Sequence, residues 1–232
     1  MSTFAERVIQ FNQNLHFTGT LPAGVSILNP FREDENIIPV SSAFYQKYYD
    51  DQNSRHLILG INPGRFGGGV TGVPFTDPKR LKKECNLDYP GKETHEPSSV
   101  FVYEVINAFG GPAAFYQQFY INSVCPLGFT ATGKNGKEVN YNYYDSKELT
   151  AAVYDFIVQS IKQQIAFAIQ TDVCFCFGTG KNEKFLQALN AEQKFFGKVV
   201  ALEHPRFVMQ YKARSKQIYI DKYLTAFNQV IA

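Results

Sequence analysis

The chain has 232 residues, with 23 Lys and Arg against 21 Asp and Glu and a formal net charge of +2. That length suffices for one α/β unit with a well-buried core, and residues 1–232 are expected to form a single domain. A charge balance so close to neutral does not announce nucleic-acid binding, and no apolar stretch reaches the roughly 18 residues needed to span a membrane. The opening MSTFAERVIQFNQNLHF carries acidic and polar residues within a helical pattern, unlike a signal or transit peptide, so the expected location is cytoplasmic. The four cysteines, Cys85, Cys125, Cys174 and Cys176, include no C-x-x-C pair and fit neither a zinc site nor an iron–sulfur cluster.

Residues 2–15 place Phe4, Val8, Phe11 and Leu15 at helical spacing and predict an amphipathic helix. A short helix is expected from Ser42 to Tyr49, then a strand over 55–61. Residues 76–96 are polar and basic. Ser98 or Ser99 can cap a helix through Phe109, closed by Gly110-Gly111, and Pro112 opens a short helix to Gln118. A second strand, 119–124, leads to a tyrosine-rich polar excursion over 130–145 with the makings of a hairpin. Asp145 or Ser146 caps the longest helix, to about Ile169. Strands at 172–177 and 198–203 flank a helix from about Lys181 to Leu189, and a last helix runs from about Ser215 to Val230. Cys174 and Cys176 share one face of their strand and read as small core side chains.

Strands separated by helices predict right-handed crossovers and a three-layer α/β/α sandwich with a central four-stranded parallel sheet. Such a sheet gathers the carboxyl ends of strands 55–61, 119–124 and 198–203 on one edge, where open α/β sheets place their ligands.

The loop leaving the first of these strands is the most informative. Residues 57–78 read LILGINPGRFGGGVTGVPFTDP. Glycines let bare backbone approach a ligand, although Gly-Pro-rich stretches after strands are also ordinary turns. Asn62 and Phe75 offer an amide and a flat apolar ring. The loop has neither the G-x-x-x-x-G-K-[ST] order of a P-loop nor the G-x-G-x-x-G spacing of a dinucleotide fingerprint. Gly178-Thr179-Gly180-Lys181 also lacks P-loop spacing and reads as a strand-to-helix turn, with an anion at the helix start as the competing reading.

Gly60-x-Asn62-Pro63-Gly64-x-Phe66-Gly67, followed by Thr71-Gly72-Val73-Pro74-Phe75, resembles the first active-site motif of the uracil-DNA glycosylase superfamily. The wording is nearest to the single-strand-selective monofunctional branch. KVVALEHPR at 198–206 is similar to the family's second motif, a His-Pro after a strand, and FYINSVCPLGF at 119–129 to a strand entering Cys-Pro-Leu. Upstream, Leu28-Asn29-Pro30 is similar to an Asn-Pro preceding the first motif in that branch. The resemblance implies a monomeric, monofunctional enzyme without metal, organic cofactor or iron–sulfur cluster. Its partner would be uracil-containing DNA, single- or double-stranded, and no membrane. By resemblance, Asn62 holds the attacking water and His204 donates a hydrogen bond to uracil O2. Phe75 would stack on the flipped base, with Gly60, Ile61, Gly64 and Phe66 completing the substrate-binding loop.

Two departures from the family bear on specificity. The Asn that the branch carries two residues before Cys-Pro-Leu is Ser123 here, with Asn122 beside it. Neighbouring strand residues face opposite sides, so register favours Ser123 and leaves Asn122 as the rival. A Ser hydroxyl is shorter than an Asn amide and cannot serve two groups of the uracil edge at once, so looser base choice is expected, including xanthine. The family's His-Pro-Ser-Pro run is replaced by His204-Pro205-Arg206-Phe207-Val208-Met209. Arg206, Phe207 or Met209 could fill the space left by a flipped base; core packing of Phe207 and Val208 is the competing reading.

Lys79, Arg80, Lys82 and Lys83 follow the first motif, and Arg206, Lys212, Arg214 and Lys216 follow the second. With Arg65 they read as a phosphate-facing rim, or else as solvated helix starts. Two other classes compete with a glycosylase: a lesion-binding module without catalysis, and an α/β enzyme acting on free nucleosides or nucleotides.

Overall fold

The computed structural model describes residues 2–133 and 135–231. The described residues form seven strands: β1 Val25–Leu28, β2 Arg55–Gly60, β3 Phe119–Ser123, β4 Gly128–Thr132, β5 Glu138–Tyr141, β6 Ile169–Phe177 and β7 Lys198–Leu202. Four of them make a parallel sheet in the order β3-β2-β6-β7. Every residue of β2 is buried, as its unbroken apolar run requires of a strand covered on both faces.

The adjacent residues Phe119 and Tyr120 define the layers, because successive strand side chains point to opposite faces. The Phe119 ring meets Phe227 of helix Lys216–Ile231 at 4.7 Å, while Tyr120 meets Phe4 of helix Phe4–Asn14 at 5.3 Å. The expected α/β/α sandwich is therefore present.

At the amino end of β2, Arg55 is fully buried and pairs with Asp51 at 2.8 Å. Its Nε donates to the Tyr116 carbonyl at 2.7 Å, and its guanidinium lies 4.7 Å from both the Phe4 and Tyr49 rings. The charge is matched within an aromatic layer at the end of the sheet away from the ligand loops.

Local chemistry explains most helix starts. Thr3 and Glu6 form a reciprocal capping box, and Ser146 accepts the Leu149 N–H to open helix Lys147–Ile165. Pro occupies the first turn of helices Pro78–Cys85, Pro97–Phe109 and Pro112–Gln118.

Several boundaries differ from expectation. The helix expected from Ser42 starts at Ile37, and the polar stretch 76–96 contains helix Pro78–Cys85. Neither Ser98 nor Ser99 caps the next helix; Pro97 begins it, so both serines are internal and buried. The longest helix ends at Ile165, and β6 starts at Ile169 instead of 172.

A second sheet was not expected. β1, β4 and β5 pair antiparallel in the order β1-β4-β5. The excursion after Cys-Pro-Leu is thus the expected hairpin with a third strand added from far upstream.

Candidate active site

β2 ends at Gly60 and releases Ile61-Asn62-Pro63-Gly64 into a cleft of about 150 Å³. The Asn62 amide is fastened to the second sheet. Its Oδ1 accepts the Tyr143 N–H at 3.2 Å, and its Nδ2 donates to the carbonyls of Tyr141 at 3.3 Å and Pro63 at 3.4 Å. Both amide protons are used, whereas Oδ1 keeps a second lone pair.

Phe75 lines the same cleft. Its φ of 51° is the left-handed region, costly for an aromatic residue, and the surrounding contacts must hold it there. Phe177 packs edge-on at 5.6 Å and His204 lies 5.7 Å away. Gly60 does not itself line the cleft; it makes room for Phe75. A Cβ at position 60 would come within 2.8 and 2.9 Å of the Phe75 ring.

His204 follows β7 and sits half-buried as the N-cap of helix Pro205–Tyr211. The segment after it is thus a short helix that the sequence did not mark. The His204 Nδ1 accepts the Arg206 N–H at 3.1 Å, so in the neutral ring Nε2 carries the proton. Burial, with Arg206 nearby, lowers its pKa from 6.5 to about 4. The imidazole is neutral near pH 7 and presents Nε2–H as a donor. Tyr223 donates its hydroxyl hydrogen to the Glu203 carbonyl, fixing the end of β7 next to the histidine.

Ser123 pairs in register with Gly60 and lines the cleft. Asn122 does not. Its Nδ2 donates to the Tyr120 hydroxyl at 2.7 Å and its Oδ1 accepts the Ser123 N–H at 2.8 Å, on the other side of the strand. The alternation of the strand thus places Ser123 in the cleft and sets Asn122 aside.

Three lining residues had no sequence motif to mark them: Glu96, Asn140 and Asn142. Asn140 accepts the Arg65 N–H at 3.2 Å through Oδ1. For Asn140 and Asn142 the nearest sequence signal was the polar hairpin directly after Cys-Pro-Leu.

Ile61, Gly64 and Arg206 line the cleft, but Phe66 does not; its side chain is half-exposed against the Arg65 guanidinium at 5.2 Å. Asn29 is buried, with its amide on the Leu15 carbonyl at 2.9 Å. The expected basic rim is thinner than the sequence implied. Arg80 is committed to the buried Asp77 at 2.8 Å, Lys216 to Glu104 at 2.5 Å and Arg65 to Glu138 at 3.2 Å. Lys82 and Lys83 pair with Asp88 and Glu84 at 3.3 and 3.4 Å. Lys79, Arg206, Lys212 and Arg214 are exposed and form no ion pair among the described residues. Phe207 is 40% exposed and meets Tyr211, itself 64% exposed, at a tilt with ring centroids 5.4 Å apart; this places Phe207 at the surface, beside the cleft-lining Arg206. Among the described residues, no group of three or more His, Cys, Asp and Glu could hold a metal ion. The four cysteines are buried thiols, and burial pushes Cys125 up to about 12.

An α/β/α sandwich with an amide at the end of one central strand and a neutral histidine at the end of another defines a class. Residues 46–228 match the model of the uracil DNA glycosylase superfamily, and the chain belongs to that family of DNA-acting glycosylases. A solved structure, the crystal structure of wild-type Pedobacter heparinus SMUG2, is 65% identical and covers 99% of each chain with a TM-score of 0.97. No curated protein matches the chain.

Proposed function

We propose that the chain is a monofunctional DNA glycosylase that hydrolyses the N-glycosidic bond of uracil, and also of xanthine, in DNA to begin base excision repair. One observation carries this reading: Asn62 and His204, from two different strand ends, face one cleft beside Phe75. The family and the SMUG2 structure support a DNA glycosylase.

The target nucleotide must leave the duplex to reach such a cleft. Phe75 stacks on the extruded base and Ser123 reads its edge. As the C1′–N1 bond lengthens, negative charge gathers on the departing uracil. His204 Nε2–H meets it at O2, a preorganised donor aimed at developing charge. A neutral donor suits this role, since it stabilises the anion without protonating it. Asn62 Oδ1 orients the water towards the sugar carbon, which suffices when the leaving group has largely departed. Arg206, Lys212 and Lys79 face the phosphates, and Phe207 enters the space of the missing base.

Substrate form separates this reading from an enzyme of free nucleosides. Incubate the protein with a labelled uracil-containing oligonucleotide and, separately, with deoxyuridine, with and without EDTA. The expected result is alkali-labile sites in the oligonucleotide, insensitive to EDTA, no strand cleavage before alkali, and no turnover of deoxyuridine. Turnover of deoxyuridine alone would assign the cleft to nucleoside chemistry.

A further inference from the structure

A water that attacks the sugar starts with two protons and ends as a hydroxyl with one, so a proton must go somewhere. Asn62 is an amide and does not take a proton near neutral pH. His204 Nδ1 is occupied by the Arg206 N–H, and its Nε2 already carries the ring proton. The Arg206 guanidinium carries only donors and offers no acceptor for a proton. The remaining titratable group that lines the cleft among the described residues is Glu96.

Glu96 is held where such a role needs it. Its N–H donates to Asp77 Oδ2 at 2.7 Å, and the other Asp77 oxygen accepts the Arg80 N–H and Nε at 2.9 and 2.8 Å. The Glu96 carboxyl then lies across the glycine loop of the first motif. A Cβ on Gly67 would come 1.6 Å from Oε2, and one on Gly64 would come 3.3 Å from Oε1. The bare loop is what admits the carboxyl. No Lys, Arg or His among the described residues forms an ion pair with it.

We propose that Glu96 is the proton acceptor of the hydrolytic step, with Asn62 orienting the water and Glu96 receiving its proton. The proposal rests on the glycosylase reading above. The water oxygen forms a bond to C1′ while the C1′–N1 bond breaks and its electron pair leaves with the base. The water proton passes to the Glu96 carboxylate, and from there to solvent. The base anion takes a proton from solvent, so the products are an abasic sugar and a neutral base.

The surroundings tune the group in the required sense. Burial raises the Glu96 pKa above its ordinary 4.5 and Asp77 adds to this, while the Ser98 hydroxyl and the Arg206 charge oppose it. Around it stand the Arg80–Asp77 pair, the His95 ring 3.6 Å from Asp77, and the Arg65–Glu138 pair on the hairpin side. A base with a raised pKa accepts a proton better than an ordinary carboxylate.

The test is single-turnover excision from a uracil oligonucleotide between about pH 4.5 and about pH 8.5 for wild type, Glu96→Gln and Gly67→Ala. Wild type should show a rate that climbs with pH through a limb above 4.5. Glu96→Gln should be about 100-fold or more slower near pH 7, lack that limb, and keep oligonucleotide affinity within a few fold. Gly67→Ala displaces the carboxyl, so it should also be slow, and adding it to Glu96→Gln should slow excision no further. Near-wild-type turnover by Glu96→Gln, or slow turnover that keeps the limb, would overturn the proposal. A flat wild-type profile overturns it without any variant, should Glu96→Gln not fold. Absence of excision by wild type at every pH would instead defeat the glycosylase reading, and this proposal with it.

Discussion

Asn62 Oδ1 accepts the backbone N–H of Tyr143 at 3.2 Å, so the hairpin after the third motif holds the amide of the first. The second sheet is therefore part of the site. The amide is oriented by main-chain groups of another element, and an oriented amide is what positioning a water demands.

Asn62→Ala should lower the single-turnover rate of uracil excision by at least about 100-fold while leaving DNA affinity within a few fold, because positioning matters only once the base is bound. Rapid-quench kinetics beside fluorescence-anisotropy binding separates the two. Near-normal turnover would reduce Asn62 to a residue that ties the loop to the hairpin.

His204→Ala should cost about 2.7–4 kcal/mol of transition-state stabilisation, the range for a single lost oxyanion donor. The histidine also leaves a mark on stability. Its folded pKa of about 4 lies below the ordinary 6.5, so in that window the unfolded chain binds more protons. Its contribution to stability is thus lost as pH falls from 6.5 towards 4 and restored as pH rises. Urea melts across this range should show a steeper fall in wild type than in His204→Ala; parallel curves would place the ring in a solvent-like setting.

Gly60→Ala tests the base platform. The added Cβ would sit 2.8 Å from the Phe75 ring, which must shift from the cleft wall. Stacking is worth about 1–3 kcal/mol per base, so excision should slow by roughly ten-fold or more with little change in melting temperature. Unaltered excision would show that the position of the Phe75 ring does not govern base capture.

Ser123→Asn should restore a second polar pairing to the base edge and shift the ratio of uracil to xanthine excision towards uracil by about 1–2 kcal/mol. Single-turnover rates on both oligonucleotides measure it. Asn122 is bonded to Tyr120 and to the Ser123 N–H, so Asn122→Ala should act through strand-end packing and leave the ratio alone. An unchanged ratio in Ser123→Asn would remove residue 123 from base reading.

The parallel sheet was legible because β2, β3, β6 and β7 are apolar runs between helical stretches, and alignment on Cys125-Pro126-Leu127 together with strand alternation favoured Ser123, which lines the cleft. β1 escaped notice because it is four residues long and pairs with β4, more than ninety residues downstream, leaving no local periodicity. The seven-residue helix after His204 was missed because its cap is a histidine ring, outside the Ser, Thr, Asp and Asn that mark helix starts. Glu96 sits in the polar stretch KETHEPSS and reads as solvated; only the closing of that stretch over Gly64 and Gly67 turns it inward. The basic clusters are thinned because Asp77, three residues before Arg80, and the distant Glu104 and Glu138 take up three of their charges.

The most direct test of the account is release of free uracil, measured by chromatography, from single- and double-stranded uracil oligonucleotides under enzyme excess, for wild type and Asn62→Ala side by side. The account predicts one uracil released per abasic site by wild type, with the variant slowed severely. Intact oligonucleotide in both strand forms after long incubation with wild type would contradict it.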